Sequence, residues 1–300
     1  MIKVEGLTKV FSKKAGPAID SVTFDVNNGE IVGFVGLNGA GKTTTIRAAA
    51  GVSTPTAGHA SIDGFDLVTQ KVEASRRLGW VPEVSNFEPN AKALSLMEYF
   101  AGYYGIPGPE ATAKSVALMK SVGLEGNEGK KLRAYSQGMK KRFALAAAML
   151  ASPKNYLFDE VLNGLDPEGI RYFRRLMIEL KAEGAAVLLS SHILVEVESI
   201  ADRIVFIHRG KIIKIISRAD LATVGGMVAR IVIQRRDQKL MDFLKGFGEP
   251  RLEGEVILLS ATGDLSHLNS ELVKMGYEVS EFSTQKEGLE DYFMKLIGES

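Results

Sequence analysis

The 300-residue chain contains no cysteine. Disulfide scaffolds, cysteine nucleophiles, iron–sulfur clusters and thiolate zinc sites are therefore excluded. A reducing compartment is compatible with that absence but not required by it. Histidine is scarce. His59, His192, His208 and His267 never stand at helical ligand spacing from one another, so no histidine metal cluster is expected. Charge of one sign is lacking as well: 37 basic and 36 acidic residues give a net charge of +1. A protein that coats nucleic acid is usually strongly basic, so no direct nucleic-acid contact is expected. No run approaches the ~18 consecutive apolar residues of a membrane span. Phe143 to Ala151 comes nearest, but it is short, rich in alanine and preceded by Lys140, Lys141 and Arg142. The opening Met1-Ile-Lys-Val-Glu-Gly has no apolar core behind a basic start, so no secretory signal is expected. The expectation from these absences is a soluble, cytoplasmic chain, still free to sit against a membrane through a partner. Glycine is the residue in excess: 31 of 300, about a tenth, against an average of about 7%. Without a proline bias, such an excess implies tight loops and backbone that approaches a ligand.

Short apolar runs alternate with helical patterns. Ile2–Val4, Ser21–Val26 and Ile31–Val35 read as strands, with Asn27-Asn28-Gly29 as the turn between the last two. Thr43–Ala50 reads as a helix stopped by Gly51. Leu94–Tyr104, Pro109–Val122 and Ser136–Ala151 are helical, making an insert over about 87–150. Strand patterns return at Asn155–Phe158, Ala185–Ser190 and Ile204–Ile207, and Ile212–Ile216 completes an edge hairpin. The expected fold is α/β, with a mixed, largely parallel sheet, an N-terminal antiparallel part and the helical insert. Beyond Ile216 the texture changes. Ser217–Gly226 reads as a polar linker, and strands and helices then alternate as in a small α+β domain. From Ser217 onward there are 10 basic and 14 acidic residues, net −4, which leaves +5 for the remainder. Two units are expected, 1–216 and 217–300.

Gly36-Leu37-Asn38-Gly39-Ala40-Gly41-Lys42-Thr43 satisfies G-x-x-x-x-G-K-[ST], and Thr44 continues it. The glycines let successive N–H groups turn toward phosphate oxygens, and the following helix offers its positive N-terminus to the same anion. Lys42 has the reach for β- and γ-phosphates, and the Thr43 hydroxyl is a Mg²⁺ ligand type. A chance match is expected in roughly one chain in a hundred of this length. A strand before and a helix after meet the context the pattern requires. The dinucleotide alternative fails, because Thr44 stands where its third glycine belongs. The loop therefore reads as a nucleoside triphosphate site.

Such a loop needs a carboxylate from another strand. Tyr156-Leu157-Phe158-Asp159-Glu160 ends an apolar run in two acids. Asp159 is placed to hold Mg²⁺, and Glu160 to polarise the water that attacks the γ-phosphate. Ser190-Ser191-His192 closes a further apolar run, which would bring His192 to the same sheet edge.

Together these residues resemble the ATP-binding-cassette (ABC) ATPases, over about residues 1–216. Gly36–Thr44 and Asp159-Glu160 look like the family's Walker A and Walker B motifs. Tyr135-Ser136-Gln137-Gly138-Met139 stands in the place of its signature, and Asn163-Gly164-Leu165-Asp166-Pro167 looks like its D-loop. His192 resembles the switch histidine, Leu78-Gly-Trp-Val-Pro82-Glu83 the Q-loop, and Phe11 the aromatic residue that stacks on adenine. The resemblance implies ATP and Mg²⁺ as cofactors, with Thr43, Glu83 and Asp159 toward the metal. It implies a homodimer of cassettes closing head to tail on two ATP molecules, where Ser136, Gln137, Gly138 and Asp166 meet nucleotide held by the second subunit. It also implies a separate membrane permease as partner, with the chain peripheral on the inner face of the cell membrane. A strip near Glu83 and Asn86–Met97, offering Phe87, Leu94, Leu96 and Met97, is the expected contact.

Several positions depart from the family pattern. Gln137 replaces a glycine and Met139 a glutamine in the signature, Glu83 stands where glutamine is usual, and Val161-Leu162 replaces Pro-Thr. The Tyr-Ser-x-Gly-Met signature, Glu83 and the C-terminal extension resemble the drug- and antibiotic-exporter branch, the type 2 transporters. The resemblance therefore implies an ATPase subunit powering transport; the alternative is a soluble cassette ATPase acting on nucleic acid or ribosomes. Lys140, Lys141 and Arg142 oppose the dipole of the helix they begin, by roughly 0.3–1 kcal/mol each. Either a nearby phosphate or a solvated face would account for them.

Overall fold

The structure, a computed structural model, describes residues 1–12, 14, 16–220, 227–261, 263–286 and 288–298; positions 221–226 of the expected linker lie outside the described residues. The chain divides into two compact units, Met1–Arg218 and Ala219–Ser300. The first begins with β1 (Ile2–Ser12) and β2 (Gly16–Val26), where buried Val22, Phe24 and Val26 alternate with exposed or half-exposed Ser21, Thr23 and Asp25. That period of two is the mark of a sheet with one dry face. β3 (Glu30–Val35) is instead buried throughout from Ile31, as a strand covered on both sides must be. Helix α1 (Lys42–Ala49) follows it, then β4 (Ala57–Ile62), β5 (Phe65–Asp66), the short helix α2 (Lys71–Ser75) and β6 (Leu78–Val81). The insert comprises α3 (Ala93–Tyr103), α4 (Gly108–Ser121) and α5 (Gln137–Ala148). The chain then returns through β7 (Asn155–Asp159), α6 (Pro167–Ala182), β8 (Ala186–Ser191), α7 (Leu194–Ile200), β9 (Arg203–His208) and β10 (Lys211–Ser217).

Two sheets result. One is antiparallel, in the order β2-β1-β4-β5; the other runs β10-β9-β3-β8-β7-β6. In the second sheet β6, β7, β8, β3 and β9 are parallel, and β10 closes the edge antiparallel to β9. The turn Asn27-Asn28-Gly29 does not close a hairpin: it carries the chain from the first sheet to the second, because β2 pairs with β1. Register positions the site. Val35 of β3 pairs with Ser191, and Asp159 of β7 pairs with Ser190, so three strands end at one level of one sheet edge.

Phe143 anchors the insert, edge-on to Phe87 at 4.9 Å and to Tyr135 at 6.2 Å between ring centroids. Ser136 caps α5 by accepting the Met139 N–H at 3.2 Å, and Asp166 caps α6 by accepting that of Gly169 at 2.8 Å. A side-chain N-cap of this kind contributes about 1 kcal/mol.

The second unit has its own core, built from Ile231, Leu240, Leu244, Ile257, Leu259, Leu268 and Leu272 among others. Strands β11 (Met227–Ile233), β12 (Gly248–Glu253), β13 (Val256–Ala261) and β14 (Val279–Lys286) form an antiparallel sheet in the order β12-β13-β11-β14. Helices Gln238–Lys245 and Leu268–Lys274 connect them in a β-α-β-β-α-β path, the split βαβ arrangement. β12 has no counterpart in the sequence pattern. Its Gly248-Glu-Pro-Arg-Leu-Glu lacks apolar alternation, and as an edge strand it is mostly exposed.

Candidate functional site

The loop between β3 and α1 surrounds a cavity of about 350 Å³, lined by Asn38, Gly39, Gly41, Lys42, Thr43 and Thr44, with Ala18, Glu83, Glu160, Asn163 and His192 completing its wall. Gly41 has φ of +110°, and a Cβ there would stand 2.7 Å from Ile19 Cγ2, so only glycine fits. At Gly36 a Cβ would overlap the Ile207 carbonyl. Gly41 is also the N-cap of α1 and brings no side chain to satisfy the first N–H groups of the helix. A helix start left uncapped in this way suits an anion. Lys42 donates to the carbonyls of Gly36 at 2.6 Å and Leu37 at 3.2 Å, while Ala40 is buried beneath the loop.

Lys42 also pairs with Glu160 at 3.1 Å, both side chains 6% exposed. The other Glu160 oxygen lies 3.0 Å from His192 Nδ1 and accepts the His192 N–H at 3.3 Å and the Asn163 amide at 3.2 Å. Glu160 adopts φ of +50°, the left-handed region, which costs a residue with a Cβ about 1–2 kcal/mol. Its N–H is held there by both the Ser190 carbonyl at 3.2 Å and the Ser190 hydroxyl at 3.0 Å. Strain of this kind persists where the surroundings over-determine it. The result is a carboxylate aimed into the cavity within reach of a lysine and a histidine.

Asp159 sits one residue back and 1% exposed. It accepts the Thr43 hydroxyl at 3.1 Å and the Ser190 hydroxyl at 2.9 Å. Burial pushes its carboxyl above the usual range, the two hydroxyls oppose that, and Glu160 and Glu83 add to the rise. An acid whose folded pKa is raised binds its proton more tightly in the folded chain. Ionising it therefore destabilises the fold increasingly as pH climbs from the unfolded through the folded value. Asparagine at 159 keeps an oxygen for both hydroxyls and removes the charge. Asp159→Asn is thus expected to raise the nucleotide-free Tm near neutral pH, with the gain shrinking toward acid; calorimetry showing a lower Tm would contradict this. A hydroxyl beside a carboxylate is a hard-oxygen donor set that suits Mg²⁺. The described residues contain no group of three His, Asp or Glu side chains able to hold a metal by themselves, so phosphate and water would have to complete the shell.

Most of the other expected residues lie away from the cavity. Glu83 lines the cavity but is exposed, touched by the Asn163 amide at 3.4 Å. Phe11 is 69% exposed, with Lys9 Nζ 5.2 Å from its ring, and does not line the cavity. Ser136, Gln137 and Gly138, at the exposed start of α5, also stand apart from this cavity, as does Asp166 in its capping role. Gly164 has φ of +68°, so its own turn explains that glycine. Neither explanation offered for the basic cluster applies to two of its members. Lys141 is buried against loop carbonyls, and Arg142 lies over the Tyr172 ring at 4.6 Å. Asn163, outside the expected set of site residues, touches both Glu83 and Glu160. Its signal was its place three residues after Glu160, in the turn that folds back over it.

A glycine loop between strand and helix, with paired acids on a nearby parallel strand, defines the α/β P-loop NTPase fold. The model of the family described as ABC transporter matches residues 19–163. The bacitracin transport ATP-binding protein BcrA of Bacillus licheniformis is 34% identical over 303 residues, spanning 99% of this chain and 97% of that protein. The chain belongs to the ABC transporter family. Among solved structures, an ATP binding subunit of an ABC transporter superposes with a TM-score of 0.68 at 31% identity, covering 75% of this chain and 92% of its own. A dimeric post-hydrolysis cassette, MJ0796 bound to ADP and Pi, shares the fold with a TM-score of 0.67 at 23% identity, covering 73% of this chain and 99% of its own.

Proposed function

We propose that the chain is the ATP-hydrolysing subunit of a transporter whose membrane permease is a separate protein, working as an exporter. The buried Lys42–Glu160 pair at the mouth of the phosphate loop carries this reading. An entering γ-phosphate competes for the Lys42 ammonium, and Glu160 is released from its cation. It keeps His192 and Asn163, which hold its carboxylate in place to accept a proton from the attacking water. His192, 47% exposed beside Glu160 in the cavity wall, would reach the γ-phosphate. Thr43 and Asp159 would hold Mg²⁺, which supplies charge neutralisation between the phosphates. The unit Met1–Arg218 serves as the cassette and Ala219–Ser300 as an accessory domain. Bacitracin transport by the relative BcrA supports an exporter of this branch.

Among the described residues no helix is long and apolar enough to cross a membrane. A groove of about 830 Å³ between Trp80, Phe87, Phe100, Tyr103 and Ala147 is the place for the permease. Trp80 Nε1 and Ser85 Oγ are buried there without a partner among the described residues, and each would gain one from a docked helix. Part of the expected contact strip is withdrawn: Met97 is fully buried, and Leu94 and Leu96 do not line the groove. Ala147→Arg places a charge on the groove wall. With a candidate permease subunit co-expressed, the variant is expected to leave the membrane fraction while retaining ATP hydrolysis. Membrane association equal to wild type would contradict the docking site.

A further inference from the structure

We propose that Lys141 is a positioning residue for ATP hydrolysis: it holds the loop that carries Glu160 and ties that loop to α5, the helix that starts at Ser136 and Gly138. The proposal rests on Glu160 being the hydrolytic carboxylate. The Lys141 side chain is buried, and its ammonium donates to the carbonyls of Glu160 at 3.4 Å, Val161 at 2.8 Å and Asn163. An ammonium has three N–H groups and nothing to accept with, so the three carbonyls use its full capacity. A lysine can stay buried only with such compensation. Burial pushes its pKa down, and the facing carboxylates of Glu83 and Glu160 oppose that.

The loop needs this anchor. Glu160 is in the left-handed region, where its N–H is fixed by Ser190 from the sheet side. Its carbonyl is fixed by Lys141 from the insert side. The peptide that aims the carboxylate is thus clamped between β8 and α5. Asn163, whose amide reaches Glu160 and Glu83, has its own carbonyl on the same ammonium. Movement of the exposed N-terminus of α5 therefore reaches Glu160 within two helical turns, without passing through the nucleotide. Misplacing a catalytic group by about 1 Å costs on the order of 10²-fold in rate.

Lys141→Met keeps length and packing and removes all three donors. Its kcat per bound nucleotide is expected to fall about 10²-fold, with KM for ATP within about twofold of wild type. Counting bound nucleotide removes any change in the folded fraction. The double variant Lys141→Met/Glu160→Gln is expected still to form an ATP-dependent dimer. Lys141→Gln restores two donors and is expected to recover about tenfold of the lost rate. Wild-type kcat in Lys141→Met, loss of the dimer in the double variant, or Lys141→Gln no faster than Lys141→Met would each overturn the proposal. If Lys141→Met fails to bind nucleotide, Lys141→Gln decides: lowered kcat at full occupancy supports the clamp, and wild-type kcat overturns it. Full hydrolysis by Glu160→Gln alone would overturn the underlying role of Glu160. An inactive Glu160→Gln beside a fully active Lys141→Met would overturn only the role of Lys141.

Discussion

Glu160→Gln is expected to lower ATP turnover by about 10²–10⁴-fold, the range typical of losing a general base, while ATP still binds. The amide is nearly isosteric with the carboxylate. It can keep a contact with the Asn163 and His192 groups that surround position 160. It cannot take a proton from water at neutral pH. It also loses the ion pair with Lys42, which frees that ammonium for phosphate in the resting chain. Binding should therefore be equal to wild type or tighter, and bound ATP should survive long incubation. Recovering nucleotide from the isolated protein checks both halves: intact ATP is expected from Glu160→Gln, ADP from wild type. ADP from both would remove Glu160 from the chemistry.

Gly138→Arg is expected to abolish ATP-dependent dimerisation and, with it, hydrolysis, without unfolding the chain. A Cβ at Gly138 would meet Leu165 at 3.8 Å and Ser136 Oγ at 3.9 Å, ordinary contacts, and Gly138 is not among the residues with positive φ. Nothing among the described residues therefore requires glycine at this helical position. Replacing glycine there gains about 0.8–1 kcal/mol of helix propensity. A positive charge in the first turn returns about 0.3–1 kcal/mol against the dipole. The two nearly cancel, so Tm should barely move. On the proposed reading, the reason for glycine is a neighbour from outside, nucleotide held by a second subunit. Light scattering in the Glu160→Gln background reads the outcome. With ATP, two-chain mass is expected when Gly138 is present, and single-chain mass (32.5 kDa) when Gly138→Arg is added. A dimer unaffected by Gly138→Arg would sink the cross-subunit role.

Much of the site was legible because its chemistry is local. The phosphate loop is one contiguous stretch whose glycines are required by backbone geometry, as Gly36 and Gly41 show. Asp159, Glu160 and His192 were legible as acids or histidine at the ends of apolar runs, since parallel strands bring such ends to one edge. What escaped depends on side chains crossing between distant elements. Lys141 looked like surface or phosphate charge, and only packing against the loop after β7 shows it turned inward. Asn163 gained its role through contact with Glu83, 80 positions earlier. The fold followed the same division. Apolar runs marked β3, β7 and β8, while β12, short of apolar residues and lying on an edge, had no pattern to read. The Asn27-Asn28-Gly29 turn was legible as a turn, but which sheets it joined depended on pairing partners more distant in the chain.

Phosphate release from MgATP by the purified chain, measured beside Glu160→Gln at equal nucleotide occupancy, tests the hydrolytic role most directly. Continuous release by wild type and its near-complete loss in Glu160→Gln is the expected result. Release at the same rate by both, or none by a wild-type chain saturated with ATP, would contradict it.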